Sequence, residues 1–177
     1  PQWPAEKQAL PLVYVTFGTM YNQDVGVLGH VVAGLRGLPV RLIVTVGPSG
    51  DPCALGPQPP NVHVARYIPQ SKVLGSASAV VSHAGSGTFL AALAHGLPQL
   101  CLPQGADQFG NARACSSAGA GLEIPPRDIS ADRVRAATNH LLVEPDFRAR
   151  ARQLADEIAQ MPTPNTVAEQ IRITYQS

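Results

Sequence analysis

At 177 residues the chain is long enough for one compact domain and too short for two of ordinary size. Hydrophobic residues make up 45% and charged residues 14%, with a net charge of +1, the profile of a globular domain with a sizeable core. This balance gives no electrostatic basis for binding nucleic acid or an anionic membrane surface, and no apolar run approaches the roughly 20 residues of a membrane span.

Residues 1–10 read as a polar linker leading into a strand. Leu12–Phe17 (LVYVTF), β-branched and aromatic and ended by Gly18, predicts a buried strand. Asn22 is placed to cap a helix running to about Arg36, with Val25, Leu28, Val32 and Leu35 on one face and Gly37 closing it. Val40–Val46 is a second strand, followed by a Pro- and Gly-rich surface loop over residues 47–60. Asn61–Tyr67 supplies a third strand, Gln70–Leu74 a brief helical turn, Ala79–Ser82 a fourth strand, Ser86–His95 a helix and Gln99–Leu102 a fifth strand. Asp107–Ala118 is helical and Gly121–Ile124 is a sixth strand. Beyond Pro126 the pattern is helical throughout: Ser130–Val143 behind a Ser cap, then about Asp146 to Gln160, then about Asn165 to Tyr175. The basic residues from Arg133 to Arg152 are interleaved with acids, as on a solvated helix face. Short apolar strands alternating with amphipathic helices predict an α/β fold, a Rossmann-like doubly wound parallel six-stranded sheet with helices on both faces. Such a sheet binds ligand beyond the carboxyl ends of its strands. Cys53, Cys101 and Cys115 form no CxxC pair, which predicts free thiols in a reducing, cytoplasmic compartment.

The chemistry is concentrated between Arg66 and Asn111. His83-Ala84-Gly85-Ser86-Gly87-Thr88 falls between a strand and a helix. Glycines there let backbone N–H groups approach a ligand, and the open amides and dipole of the helix start favour an anion. Ser86 and Thr88 add hydroxyl donors and His83 an imidazole, a set that suits a diphosphate. Taken alone the turn fits a tight Ser-capped turn equally well. Asp107-Gln108, at the next strand–helix junction, pairs a carboxylate with a carboxamide, as suits adjacent sugar hydroxyls, although Asp107 also fits a simple N-cap. Tyr67 ends the third strand and offers a ring for stacking on a planar base, or for packing. The five histidines (30, 63, 83, 95 and 140) are dispersed and no cluster has metal-ligand spacing, which predicts metal independence and no cofactor.

Aromatic-x-Pro-Gln (67–70), a strand, His-x-Gly-x-Gly-Thr (83–88), Gly-x-Pro (96–98) and Pro-x3-Asp-Gln-x2-Asn-Ala (103–112) together resemble the donor-site signature of GT-B glycosyltransferases. The likeness is to bacterial enzymes that glycosylate antibiotics and other natural products, and Phe17-Gly18-Thr19 resembles that family's first donor-domain strand and phosphate-facing loop. The resemblance implies that residues 11–177 form the nucleotide-sugar donor-binding domain and that residues 1–10 are what remains of a linker from an N-terminal acceptor domain. It implies base stacking on Tyr67, with the Ile68 backbone and Gln70 at the base edge. The diphosphate would lie on Gly18, Thr19, His83, Gly85, Ser86, Gly87 and Thr88, and the donor sugar on Asp107 and Gln108. In the family an inverting transfer uses a catalytic base in the N-terminal domain, so this chain is expected to bind donor without transferring it.

Many members of that family place a ribose-binding Glu eight residues after the histidine; here the position is Ala91. A sugar lacking the 2′-hydroxyl loses less from this change, which favours a dTDP-linked donor over a UDP-linked one. Other readings are a non-catalytic donor-binding subunit of a split transferase, a GT-B epimerase, and an NAD-binding domain. The last is opposed by Leu90 at the third glycine position of a dinucleotide fingerprint and by the absence of an acid at the end of the fifth strand.

Overall fold

The computed structural model describes residues 1, 3, 5–18 and 25–175. Six strands, β1 (Leu12–Thr16), β2 (Arg41–Thr45), β3 (Val62–Ala65), β4 (Ala79–Ser82), β5 (Gln99–Cys101) and β6 (Gly121–Glu123), form one sheet in the order β3-β2-β1-β4-β5-β6. Every pairing is parallel. Helices α1 (Val25–Leu35), α2 (Ser86–Ala94), α3 (Gln108–Ser117), α4 (Ala131–Val143), α5 (Pro145–Ala159) and α6 (Pro164–Tyr175) complete the domain. This is the doubly wound α/β architecture that the sequence predicts.

Parallel strands need crossover helices on both faces, so they are apolar on both sides. Val13, Val15, Leu42, Val44, Val81 and Leu100 pack with Val31 and Leu35 of α1 and Val134 and Leu141 of α4. The alternate residues Leu12, Tyr14, Ile43 and Val80 face the other way, onto Ala92 of α2 and Leu97. A third cluster joins α2, α3 and α5 through Phe89, Leu93, Ala112, Cys115 and Ala151. Within it the Cys115 side chain, followed by burial, raises the Cys101 thiol pKa well above its ordinary value. Cys53 is exposed, and none of the three cysteines is in a disulfide.

Most element ends fall within one or two residues of expectation. Phe17 and Val46 are as buried and apolar as strand residues, which extends the sequence pattern past the ladder. The Val46, Leu102 and Ile124 amides also still bond to the neighbouring strand, at 3.0, 2.8 and 3.0 Å. Ser130 caps α4 as expected, its hydroxyl accepting from the Arg133 amide at 3.3 Å. The loop over 47–60 contains a 3-10 turn, Pro52–Leu55, whose cap Asp51 accepts from the Cys53 amide. Ahead of β1, Trp3 packs on the second cluster and lies under the Arg41 guanidinium, 5.9 Å from its ring centre. Asn22 and the start expected for α1 lie outside the described residues.

α1 and α4 cross closely where Gly34 meets Ala131: a Cβ at position 34 would sit 2.4 Å from the Ala131 carbonyl oxygen. The Gly34 carbonyl also accepts from Arg135 Nε at 3.1 Å. Gly29 of the same helix has nothing within 4 Å of an added Cβ. Gly34→Ala is therefore expected to destabilise the domain by about 1–3 kcal/mol through backbone overpacking. Gly29→Ala is expected to be neutral or to stabilise by up to about 1 kcal/mol. Urea unfolding of the two variants checks this, and equal effects would show that the α1–α4 contact is not tight.

Candidate functional site

The sheet order reverses direction between β1 and β4, and the crevice of a doubly wound fold opens above the carboxyl ends of two such strands. β1 leads there into Phe17-Gly18 and β4 into His83-Ala84-Gly85. Gly18 has φ +72°, and a Cβ on it would lie 2.9 Å from His83 Cε1. A Cβ on Gly85 would lie 2.5 Å from His83 Nε2. The imidazole is thus wedged between two residues that have to be glycine. Its ring centre is 6.3 Å from that of Phe17. His83 is only 8% exposed, and its Nδ1 is buried without a hydrogen-bond partner. Burial lowers its pKa, while the Asp107 charge and the Thr16 backbone oppose the shift.

Ala84 has φ +61°, a left-handed backbone that is uncommon for a residue with a side chain and costs energy to hold. Two side chains hold the turn. The Ala84 amide donates to Ser82 Oγ at 3.1 Å, and its carbonyl accepts from Asn111 Nδ2 at 2.9 Å. The chain then enters α2 at Gly85, which has no side chain to cap the first turn. The amides of Ser86, Gly87 and Thr88 therefore point out of the helix start, as an anion-binding terminus requires.

The buried Thr88 hydroxyl accepts from Gln70 Nε2 at 2.8 Å, which leaves its own proton free to donate. Gln70 opens a 3-10 turn directly after Tyr67-Ile68-Pro69, so this bond ties the third-strand segment to α2. Tyr67 is 64% exposed. It lines a narrow cleft of about 50 Å³ together with Gly18, Gly47, Arg66, Ile68 and Gln70. The Tyr14 and Thr45 hydroxyls, 3.2 Å apart, line the same cleft. The Ile68 backbone makes no hydrogen bond among the described residues.

On the other side of α2, Ser86 Oγ donates to Asp107 Oδ2 at 2.6 Å, and Asn111 Nδ2 reaches both at 3.2 and 3.3 Å. Asp107 stands at the N-cap position of α3, as one reading of the sequence has it, but its side chain makes no capping bond. The Ser86 hydroxyl is the main cause holding its carboxyl below the ordinary carboxylate range. Because the Ser86 hydroxyl faces Asp107, its backbone amide is the group it offers an anion. Gln108 is buried; its Oε1 accepts from the Gln104 and Gly105 amides at 2.8 and 3.1 Å. Asp107 is thus the exposed member of the pair.

The Gln70–Thr88 and Ser86–Asp107 bonds join the segment after β3, the start of α2 and the start of α3. Thr19 lies outside the described residues. The bonding of Asn111 and of Gln70 to Thr88 is not evident from the sequence; the signal for Asn111 is its place one turn after Asp107 on the same helix face. A larger hollow of about 500 Å³ lies at the opposite end of the strands, beside Pro11, Pro98, Leu142 and Arg148. There Arg148 already donates to the Ser78 carbonyl, and the strand-end donors of the crevice are absent from its lining. Among the described residues no group of three or more His, Cys, Asp or Glu side chains is placed to hold a metal ion.

A histidine whose folded pKa is lowered contributes stability above its unfolded value near 6.5 and loses it as pH falls toward the folded value. The gap in melting temperature between the wild-type chain and His83→Gln is therefore expected to narrow from pH 7.5 to pH 5.5. His63, also lowered by burial, is present in both chains and cancels. A gap independent of pH would show that His83 is not held neutral by the fold.

Elloramycin glycosyltransferase ElmGT of Streptomyces olivaceus is 39% identical over 167 residues, covering 93% of this chain and 42% of that protein. The crystal structure of the calicheamicin glycosyltransferase CalG4 superposes with a TM-score of 0.86 at 25% identity, over 98% of this chain and 45% of that one. The spinosyn rhamnosyltransferase SpnG, complexed with thymidine diphosphate, gives 0.85 at 30% identity, over 97% and 48%. The chain thus spans less than half the length of the relatives it matches. Residues 31–173 match the model of the erythromycin biosynthesis protein CIII-like C-terminal domain, and the chain belongs to that family.

Proposed function

We propose that the chain is the donor-binding domain of an inverting, metal-independent glycosyltransferase that moves a sugar from a nucleoside diphosphate to a hydroxyl of a small natural-product acceptor. The observation that carries this reading is the pair of bonds, Gln70–Thr88 and Ser86–Asp107, that ties the segment after an exposed ring and an exposed carboxylate to the open, donor-bearing start of α2. Tyr67 stacks on the base, with the Ile68 backbone and the free Oε1 of Gln70 at its edge. The amides of Ser86, Gly87 and Thr88, the Thr88 hydroxyl, His83 and the Gly18 loop hold the diphosphate. Asp107 accepts from sugar hydroxyls, and the carboxamide nitrogen of Gln108 supplies a donor beside it.

Cleavage of the anomeric C–O bond leaves negative charge on the β-phosphate oxygens. Preorganised donors there stabilise the leaving diphosphate without reorganising. A neutral His83 takes part as a hydrogen-bond donor, so it is not the base that activates the acceptor. The base belongs to the acceptor domain, and the chain by itself binds donor without turnover. Ala91, where a ribose-binding Glu would otherwise stand, favours dTDP over UDP, and a relative of the same fold was crystallised with thymidine diphosphate.

Isothermal titration of the chain with dTDP, UDP, dTMP and a dTDP-sugar, each repeated with EDTA, tests the reading. dTDP is expected to bind at least tenfold more tightly than dTMP, a difference of about 1.4 kcal/mol, with EDTA making no difference. Thr88→Val is expected to weaken dTDP about tenfold. Asp107→Ala is expected to abolish the advantage of the dTDP-sugar over dTDP. Equal binding of dTDP and dTMP would remove the diphosphate cradle. Tenfold tighter binding of UDP than dTDP would reverse the donor preference, and Ala91→Glu is expected to shift binding toward UDP.

A further inference from the structure

We propose that Asn111 is a positioning residue that fixes the phosphate turn and the sugar-side carboxylate in one register. Its Nδ2 carries two protons and faces three acceptors: the Ala84 carbonyl at 2.9 Å, Ser86 Oγ at 3.2 Å and Asp107 Oδ2 at 3.3 Å. One proton therefore serves Ala84, and the other is shared by Ser86 and Asp107. These acceptors belong to different parts of the site. Ala84 is the left-handed residue that aims the start of α2, with φ +61°. Ser86 opens α2, and Asp107 stands one turn before Asn111, at the start of α3. A single carboxamide thus bridges the strand–helix turn to the next helix, across 27 residues of sequence.

The bridge acts on two unfavourable arrangements. An alanine at positive φ has a more comfortable right-handed alternative, and adopting it would swing the Ser86, Gly87 and Thr88 amides away from their common direction. The bond from Asn111 to the Ala84 carbonyl selects the left-handed form. The shared proton meanwhile holds Asp107 against Ser86, so the carboxylate is oriented before any sugar arrives. The effect on ligand affinity rests on the donor-binding reading; the effect on the turn does not.

Four chains separate these effects: wild type, Ala84→Gly, Asn111→Ala and the double variant. Each is melted without ligand and titrated with dTDP. Glycine adopts positive φ without penalty, so it replaces the service that Asn111 gives to the turn. Asn111→Ala is expected to weaken dTDP at least fivefold, and adding Ala84→Gly to recover at least threefold of that loss. Ala84→Gly alone is expected to change dTDP affinity less than twofold. In the melts Ala84→Gly is expected to be more favourable in the Asn111→Ala background than in wild type. Equal shifts in both backgrounds, or an Asn111→Ala chain that binds dTDP like wild type, would overturn the proposal. Should Asn111→Ala not fold, Asn111→Ser, which keeps one donor, carries the same comparison. A wild-type chain that binds no nucleoside diphosphate overturns the donor-binding reading, while the melts still decide whether Asn111 holds the turn.

Discussion

Because every strand is parallel and both faces of the sheet are covered, the strand ends are where this fold brings backbone polar groups to solvent. The four inner strands end buried, at Thr16, Thr45, Ser82 and Cys101, while the edge strands β3 and β6 end half-buried. At the reversal between β1 and β4 the turns that follow two such buried ends stand side by side with no crossover helix between them. The close approach of Gly18 and Gly85 to the two edges of His83 follows from this constraint, since neither turn has room for a side chain. The site is the part of the sheet that its own topology leaves uncovered.

The charge arrangement follows the same geometry. The open start of α2 presents donors only, and His83, kept neutral by its surroundings, adds another rather than a fixed positive charge. The carboxylate of Asp107 stands at the far side, held ionised by the Ser86 hydroxyl and the Asn111 amide. On the proposed reading, an elongated ligand with an anionic middle and a hydroxyl-bearing end would meet donors and then an acceptor. Gln70 and Thr88 bond each other, as do Ser86, Asp107 and Asn111, so these side chains are oriented by the protein before a ligand arrives.

Much of this was legible in the sequence because it is local. The β4 segment, the glycine turn and the start of α2 follow from a β-branched run meeting glycines and a helix-period pattern, and the expected strand Ala79–Ser82 matches the observed one residue for residue. Contacts between segments were not legible. Nothing in the spacing of Ser86 and Asp107 says that they bond, because their meeting depends on how α2 and α3 pack. The Asp-Gln pair reads as two polar side chains side by side, yet the Gln108 carboxamide oxygen is taken up by the Gln104 and Gly105 amides of its own loop. Ala84 and Ala106, at φ +61° and +52°, adopt a conformation that sequence assigns to glycine or asparagine. In both cases tertiary context overrides the local preference.

The placement of the cysteines has a practical consequence. Cys101 and Cys115 are enclosed between β5 and α3, with Gly121 pressed so close to the Cys115 sulfur that an added Cβ would stand 2.7 Å away. Cys53 lies on the outer loop between β2 and β3. A maleimide probe applied to the native chain therefore meets a single sulfur, on a loop whose residues contribute only Gly47 and Pro48 to the crevice lining. The natural sequence supplies its own site-specific attachment point, and a fluorophore placed there reports from beside the cleft without an engineered cysteine.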